Sequence, residues 1–402
     1  MSSEVAEYRL ESICLLVVDC PHATPKWTDS GVVVLRNQNI KGGRLDLSSP
    51  SYTDEEHYLG RVKRAVPQAG DIVITREAPM GDVCQIPAGL KCCLGQRQVL
   101  LRPDPKKVDS RFLLYALQSP YIQHQIGWNE GTGSTVSNLR IPVLEALSVP
   151  TPDLAVQREV AETLGAIDDR ITLLSEANAS LESIAQELFK SWFVDFEPVR
   201  AKMEGRAPEG IDEATAALFP DSFEESELGL VPKGWGPVRL DSFIELAYGK
   251  ALKAENRNAG PIPVYGSGGI TGWHDQPLVE NESIVIGRKG TVGSIYWESR
   301  PFFPIDTVFY VKASKPLVYC YELLKTLGLK SMNTDAAVPG LNRENVYRLL
   351  VPGAPMTVVA AFDKVASKLR DAIDEKDHQS NTLVSLRDTL LPRLISGQLR
   401  LN

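Results

Sequence analysis

The sequence predicts an α+β protein in which one unit, a globular α/β domain followed by a long helix, occurs twice. Two observations predict this fold. Residues 154–196 and 356–395 each carry apolar side chains at heptad spacing, and the segments that precede them recur along the chain. We expect the two helices to pack as an antiparallel coiled coil, giving a pseudo-twofold internal repeat. The predicted boundaries are 1–153 and 235–355 for the globular domains, 154–197 and 356–402 for the helical segments, and 198–234 for an acidic connector.

The first globular domain is predicted from short β-rich runs separated by Gly and Pro. GVVVLRNQNI at 31–40 and GDIVITREAPMGDV at 70–83 each indicate a strand that runs into a polar loop, and a helix is predicted over 109–126. The second run has a counterpart at 282–295 in the second domain. Five of its residues recur there at the same spacing: Ile72, Val73, Ile74, Arg76 and Gly81 correspond to Ile284, Val285, Ile286, Arg288 and Gly293.

The central helix carries two heptad rows, and together they predict the contact surface for a partner helix, which we call the seam. Asn178 lies in one of these rows, where a buried Asn would cost stability but fix the register and orientation of the partner. The predicted seam residues of this helix are Val160, Leu164, Ile167, Ile171, Leu174, Asn178, Leu181 and Leu188.

The connector combines four prolines with nine acidic residues between Phe196 and Gly234. We expect it to hold one short helix near 212–219. For an antiparallel helix pair, we expect it to run back along the pair and to begin the second domain at the opposite end.

The distal helix aligns with the central one at a constant offset of 202 residues. Lys376 and Arg387 interrupt its apolar stripe, which leaves the local packing there open. An alternative is that the two amphipathic helices are unrelated and dock on separate cores, but the repeat extends beyond the helices and argues against this. The predicted seam residues of the distal helix are Phe362, Leu369, Ile373, Leu383 and Leu390.

Charge is distributed unevenly along the chain. The formal net charge is −8, but residues 151–234 alone hold 18 acidic and 7 basic side chains, so the two globular domains are close to neutral. The whole-chain charge therefore does not exclude contact with nucleic acid. The six cysteines have no CxxC spacing, and we expect reduced thiols in a cytoplasmic protein.

The common catalytic motifs are absent from the sequence. It contains no phosphate-binding GxxxxGK[ST] run, no HExxH and no GxSxG. VYGSGGITG at 264–272 comes nearest to a cofactor loop, but Thr271 stands where the dinucleotide pattern requires Gly. We expect no catalytic residues and no metal site in this chain, with a nucleotide-using enzyme as an alternative.

Two similar but divergent domains suit a ligand with two separated binding sites, such as duplex DNA that carries two different half-sites. Base reading needs directional donors and acceptors, which cluster in the loops of both domains. Arg76 and Arg288 share one position of the repeat, where a phosphate contact and a structural salt bridge are both plausible. Each of these residues could also be an ordinary solvated loop residue, and the domains could instead bind proteins as ends of a coiled-coil scaffold. The candidate DNA-binding residues are Arg36, Asn37, Gln38, Asn39, Lys41, Arg76, Ser134, Thr135, Ser137, Asn138, Tyr265, Ser267, Arg288, Lys289, Asn342 and Arg343.

Three segments resemble a known family. LFKSWFVDFEPV at 188–199, TLLPRLISGQL at 389–399 and VPKGWGPVRL at 231–240 are similar to the ends of the helical repeats and the entry to the second domain in specificity (S) subunits of type I restriction-modification enzymes. The resemblance covers essentially the whole chain. It implies that the globular domains are target recognition domains and that the helical repeats both space them and dock partner subunits.

The resemblance also implies a non-catalytic subunit that selects a bipartite, asymmetric DNA sequence. Its partners would be two methyltransferase (M) subunits, which bring S-adenosylmethionine, and in a full complex two restriction (R) subunits, which use ATP and Mg. No cofactor would be bound by this chain itself. The recognition residues cannot be carried over from the family, because these domains vary with their targets.

Overall fold

The computed structural model describes residues 5–128, 138–332 and 340–401. The chain divides into two compact units, one formed by residues 1–173 with 379–402 and the other by residues 174–378. Each of the two long helices contributes one segment to each unit, because the unit boundaries fall within the helices.

The first globular domain is built on a four-stranded sheet of order β2-β10-β7-β8 and a three-stranded sheet of order β6-β3-β9, with β1 and β11 pairing where the domain begins and ends. Its strands are β1 (Glu7–Arg9), β2 (Cys14–Asp19), β3 (Val32–Leu35), β4 (Ile40–Lys41), β5 (Arg44–Leu45), β6 (Ser51–Thr53), β7 (Ile72–Thr75), β8 (Val83–Gln85), β9 (Cys92–Leu94), β10 (Gln98–Pro103) and β11 (Ser148–Pro150). Its helices are α1 (Leu10–Ile13), α2 (Glu55–Arg61), α3 (Ser110–Gln118), α4 (Pro120–Trp128) and α5 (Ile141–Glu145).

One of the predicted elements of this domain is confirmed and one differs from that observed. The run at 31–40 forms β3 and then a 3₁₀ turn at Asn37–Asn39 that carries the polar residues, as the predicted strand leading into a polar loop requires. The single helix expected over 109–126 is two helices, because Ser119 precedes Pro120 and adopts an extended conformation with ψ 146°. A proline disfavours helical backbone in the residue before it, so the break follows from the sequence.

The central helix α6 (Leu154–Phe193) ends three residues before the predicted end at residue 196. Phe196 follows with a left-handed φ of 55° and starts a new short helix. The connector holds further regular elements besides the predicted helix. It contains α7 (Glu197–Met203), α8 (Glu213–Ala217), β12 (Phe223–Ser226) and β13 (Gly229–Pro232), of which only α8 corresponds to the predicted helix.

The connector packs against the C-terminal end of α6, and the expectation that it runs back along the helices is wrong. The Phe219 ring lies 5.2 Å from that of Trp192, and Trp235, which opens the second domain, lies 6.0 Å from Phe193. The Phe362 ring of the distal helix lies 5.4 Å from Phe193. In an antiparallel pair, the distal helix begins beside the C-terminal end of the central helix. The second domain, which precedes the distal helix, can therefore start at that end, and the chain need not run back along the helices.

The second globular domain repeats the topology of the first. Its sheets have the orders β15-β21-β18-β19 and β17-β16-β20, with β14 and β22 pairing where the domain begins and ends. The strands are β14 (Pro237–Arg239), β15 (Ile244–Tyr248), β16 (Ile262–Gly266), β17 (Gly269–His274), β18 (Ser283–Gly287), β19 (Ile295–Glu298), β20 (Phe303–Pro304), β21 (Val308–Ala313) and β22 (Leu350–Pro352). The helices are α9 (Leu317–Thr326) and α10 (Arg343–Tyr347), and the chain continues into the distal helix α11 (Met356–Ile395).

The helices α6 and α11 pack antiparallel, as predicted. In the second unit, the Nδ2 of Asn178 donates to the Oδ1 of Asp377 at 2.7 Å and to the carbonyl of Ile373 at 3.3 Å. The buried seam residues are Val160, Leu164, Ile171, Leu174, Asn178, Phe362 and Ile373, and the half-buried ones are Ile167, Leu181, Leu188, Leu369, Leu383 and Leu390.

Polar contacts accommodate Lys376 and Arg387, the two residues predicted to interrupt the apolar stripe of the distal helix. Within the first unit, the Nη1 of Arg387 lies 2.9 Å from the Oδ1 of Asp168 on α6, and only 18% and 15% of these side chains are exposed. The Nζ of Lys376 lies 3.4 Å from the carbonyl of Ala372, one turn earlier on its own helix. Arg387 therefore contributes to the packing of the helix pair.

Asp168 also fastens the first globular domain to the helices. Its Oδ2 accepts a hydrogen bond from the Tyr115 hydroxyl of α3 at 2.7 Å, and Nη2 of Arg44 donates to its backbone carbonyl at 2.6 Å. Burial and the neighbouring carboxylate together raise the pKa of Tyr115, so its hydroxyl stays protonated and donates. The Nη2 of Arg44 also lies 3.2 Å from the Oδ1 of Asp168, so a single carboxylate joins α3, β5, α6 and α11.

Candidate nucleic-acid interface

The polar loops of the first domain gather at one edge of its sheets. β2 and β7 both run antiparallel to β10, and β3 is parallel to β9, so the C-terminal ends of these strands can share an edge. The side chain of Gln98, at the start of β10, ties the ends of the two sheets together, because its Oε1 accepts from the backbone amide of Gly95 at 3.1 Å and its Nε2 donates to the Oδ1 of Asn37 at 3.2 Å. We call the loops that follow residues 19, 35, 75 and 94 the first edge.

Arg76 is fully engaged at this edge. Its Nη1 lies 2.9 Å from the Oδ1 of Asp19, its Nε donates to the carbonyl of Leu139 at 2.9 Å, and its Nη2 donates to the Oδ1 of Asn138 at 3.2 Å. Only 12% of the Arg76 side chain is exposed. Of the two interpretations of this position, the geometry of Arg76 corresponds to the structural salt bridge.

The loop after β3 contains both structural and exposed side chains. Asn39 is 3% exposed, accepts a hydrogen bond from the backbone of Arg36 and donates to the carbonyl of Asp46, so it holds the loop from within. Asn37 donates to the carbonyl of Glu77 and is half-buried. These two amides are occupied inside the protein and are poorly placed to read bases.

The candidates that remain at the surface of this loop are Arg36, Gln38 and Lys41. The guanidinium of Arg36 lies 5.4 Å from the centroid of the Trp27 ring, which is itself 47% exposed. Trp27 was not among the predicted residues. An aromatic ring followed by polar residues in a loop was the signal that could have identified it.

Asn138 belongs to the Arg76 network and also donates to the Oε1 of Glu77 at 2.7 Å. The neighbouring candidates Ser134, Thr135 and Ser137 lie outside the described residues.

Three candidates in the second domain have structural roles. Tyr265 is 6% exposed and donates to the Oε2 of Glu298 at 3.0 Å, and its pKa is raised chiefly by burial. Asn342 caps α10 by accepting hydrogen bonds from the backbone of Glu344 and Asn345. The Oγ of Ser267 accepts from the backbone of Thr291 at 3.3 Å, so it holds one loop against another.

A basic and aromatic cluster forms the corresponding edge of the second domain. The guanidinium groups of Arg288 and Arg343 lie 5.0 and 5.1 Å from the ring centroid of Tyr248, and Lys289 is exposed beside them. Arg288 also donates from Nη1 to the carbonyl of Asp306 at 2.9 Å. Tyr248, which is 48% exposed, was missed because an aromatic at a strand end is usually a core residue. We call these four residues the second edge.

The glycine-rich segment is a hairpin rather than a phosphate loop. Gly266 ends β16 and pairs with Gly269 at the start of β17. Phosphate-binding glycine loops lead from a strand into a helix N-terminus, whose amides face the phosphate. This geometry does not support the nucleotide-using alternative.

Within residues 5–128, 138–332 and 340–401, no group of three His, Cys, Asp or Glu side chains is arranged to hold a metal ion. The six cysteines are free thiols, and burial raises the pKa values of Cys84 and Cys92 to about 12. Among the described helices, none combines the length and apolar character that crossing a membrane requires.

Comparison with known proteins identifies the family. Residues 4–183 and 232–352 match the type I restriction modification DNA specificity domain. The chain belongs to this family. The match includes both globular domains and much of α6, and ends before the distal helix α11.

Individual members of the specificity-domain family are distant in sequence but similar in length. The type I restriction enzyme HindI specificity subunit of Haemophilus influenzae is 23% identical over 337 residues, covering 67% of this chain and 73% of the relative. The MjaIX specificity subunit of Methanocaldococcus jannaschii is 25% identical over 361 residues, covering 82% and 78%. A solved S subunit from M. genitalium is 21% identical, covers 97% of this chain and 96% of its own, and superposes with a TM-score of 0.59, which shows a shared fold.

Proposed function

We propose that this chain is the DNA-specificity subunit of a type I restriction-modification complex and that it recognises a bipartite, asymmetric sequence. The observation that carries the proposal is the repeated domain. The same two-sheet topology occurs twice within a specificity-domain family member, while the side chains at the two edges differ. Domains of one fold with different edges suit two different half-sites.

In this proposal the subunit is not itself catalytic. Two methyltransferase subunits supply S-adenosylmethionine and modify adenine, and restriction subunits in the full complex supply ATP- and Mg-dependent cleavage. The helix pair serves as spacer and docking surface, and α6 contributes seven of the 18 acidic residues of 151–234. The complex acts in the cytoplasm, where its DNA substrate is located.

The experiment is single-molecule sequencing of modified adenines in DNA from cells that express this chain with its neighbouring methyltransferase subunit. We expect a split motif of two fixed blocks separated by unspecified bases. Cells that express the methyltransferase subunit alone are the control and should show no such motif. A stable complex of the two proteins without new methylation would contradict the proposal and favour a scaffold that binds proteins.

A hybrid protein tests whether each domain recognises one block of the motif. Replacing residues 1–153 by the equivalent domain of a relative with a known motif should change one block and leave the other block and the spacer unchanged. A change in both blocks would show that the domains do not act as separate recognition modules.

A further inference from the structure

The strand registers establish which residues of the two edges are equivalent. Asp19 lies opposite Val99 of β10, which also pairs with Ile74, two residues before Arg76. In the second domain, Tyr248 lies opposite Phe309 of β21, which also pairs with Ile286, two residues before Arg288. Asp19 therefore corresponds to Tyr248, and Arg76 to Arg288.

The backbone hydrogen bonds around these arginines confirm the correspondence. The amide of Arg76 donates to the carbonyl of Arg97, and that of Arg288 donates to Thr307. The carbonyl of Arg76 accepts from Leu139, and that of Arg288 accepts from Leu341. The two sites share one backbone, so their difference lies in the side chains.

In the first domain the charges at these positions are compensated. Arg76 pairs with Asp19 at 2.9 Å, and the Nε of Arg97 lies 3.1 Å from the Oε2 of Glu77. Two cations therefore face two carboxylates, and the four side chains have no net charge. The ion pair and the contacts with Leu139 and Asn138 leave Arg76 little capacity to bind a further anion, whereas the Arg97 side chain is 57% exposed.

In the second domain the same positions are positively charged. Tyr248 replaces Asp19, Lys289 replaces Glu77 and Thr307 replaces Arg97, so Arg288 and Lys289 give a net charge of +2. Among the described residues, no carboxylate forms an ion pair with Arg288 or Lys289.

Arg343 adds a further cation to this edge. In the repeat it corresponds to Ile141, since α5 and α10 occupy equivalent positions. Its carboxylate contact is Glu344 at 3.6 Å, a residue whose side chain is 61% exposed. A guanidinium stacked on an aromatic ring keeps its in-plane N–H groups available, and these match the geometry of a phosphate.

We propose that Arg288 and Arg343, which flank the Tyr248 ring, form a phosphate-binding clamp for the duplex DNA backbone together with the neighbouring Lys289, and that Arg76, the ion-paired equivalent of Arg288, does not bind phosphate. The inference rests on the proposed DNA-specificity function and adds which residues of the second domain hold the DNA backbone. Part of the salt dependence of binding therefore originates in these three residues.

The test measures the dissociation constant of the complex with the methyltransferase subunit for a duplex that carries its methylation motif, between about 50 and 200 mM salt. Each lost phosphate contact reduces the slope of log affinity against log salt by about 0.9. The double variant Arg288→Gln/Arg343→Gln should lose about 1.8 in slope. Between about 50 and 200 mM salt, the factor by which its affinity falls should be about twelve times smaller than the factor for the wild type.

Lys312→Gln is the matched control. Lys312 is an exposed cation of β21 that lies at a distance from the second edge and pairs with the exposed Glu245. It should keep the wild-type slope. The single variant Lys289→Gln changes an exposed side chain and provides a test that does not depend on the packing of Arg343. The methylated motif should be unchanged in every variant, because phosphate contacts carry no base information.

A double variant with the wild-type slope would overturn the clamp. A relaxed second block of the motif with an unchanged slope would also overturn it, since these arginines would then read bases. Failure of the proposed function has a different signature. The wild-type complex itself would bind the motif duplex no better than a scrambled duplex.

Discussion

Replacing Asp168 by Ala tests whether one carboxylate joins the first domain to both long helices. The substitution removes the ion pair with Arg387 and the acceptor for the Tyr115 hydroxyl, both of which are largely shielded from solvent. Breaking a fully buried pair by removing one partner costs about 3–5 kcal/mol, and a hydrogen bond to a charged group contributes about 1.5–3 kcal/mol. Because Arg387 keeps its contact with Asp388 and the effects are not additive, we expect a loss of about 3 kcal/mol.

Asp169→Ala is the matched control. Asp169 is the next residue of α6 and undergoes the same substitution in the same helix, so changes in helix propensity largely cancel. Its partner is Arg111, and the two side chains are 69% and 39% exposed, which places the pair among surface ion pairs that contribute below about 1 kcal/mol.

The assay is thermal unfolding followed by circular dichroism. In a unit of 150–250 residues, 1 kcal/mol shifts the midpoint by about 2–4 °C, so Asp168→Ala should lower the transition of the first unit by about 6–12 °C. Adding Arg387→Leu to Asp168→Ala should recover part of the loss, since it removes the cation left without its main partner. Equal midpoints for the Asp168 and Asp169 variants would refute the assigned role of Asp168.

Three further predictions follow from the packing. Asn178→Leu should stabilise the second unit by about 1 kcal/mol, because the buried Oδ1 of Asn178 has no hydrogen-bond partner among the described residues. Urea unfolding should show a larger gain at pH 5 than at pH 8. Burial raises the pKa of Asp377 and the Asn178 amide opposes this shift, so without the amide that pKa rises further and folding gains stability as pH falls through it. A loss of stability would contradict this. Asn342→Ala should cost about 1 kcal/mol by removing the cap of α10 but leave the methylated motif unchanged; an altered motif would restore Asn342 as a base reader. Phe219→Ala should cost about 3–5 kcal/mol in the same unfolding assay, whereas Leu218→Ala, at an exposed neighbour, should cost below about 1 kcal/mol; similar losses would mean that the connector is not part of the core.

The features that could be predicted from the sequence are those encoded locally. The heptad rows of α6 and α11 record which face of each helix is buried, and their constant offset revealed the repeat. The strand at 72–75 was recognisable because all four of its residues are apolar or β-branched, and all four are buried. Periodicity of this kind depends on neighbours within a few turns.

The connector and the roles of the loop side chains depend on distant residues. Phe219 is buried by Trp192 and Trp235, while the surrounding prolines and carboxylates give the segment the composition of a linker. Tyr265 is held by Glu298, which lies 33 residues later in the chain, and Asn37 by Glu77, 40 residues later. A polar side chain in a loop has the same local pattern whether it contacts a ligand or its own protein, so sequence alone could not separate these cases.

The division of both long helices between the two units has a consequence for how the protein is made. The first unit needs residues 379–402, since Leu391, Leu394 and Ile395 are buried in the same cluster as Phe112. A ribosome must therefore synthesise the chain through Ile395 before this unit can close, although its first 173 residues emerge early. The second unit is continuous in sequence and can complete its core before residues 379–402, which the first unit needs, have been synthesised. A premature stop after residue 378 would consequently damage the beginning of the protein more than the part next to the stop.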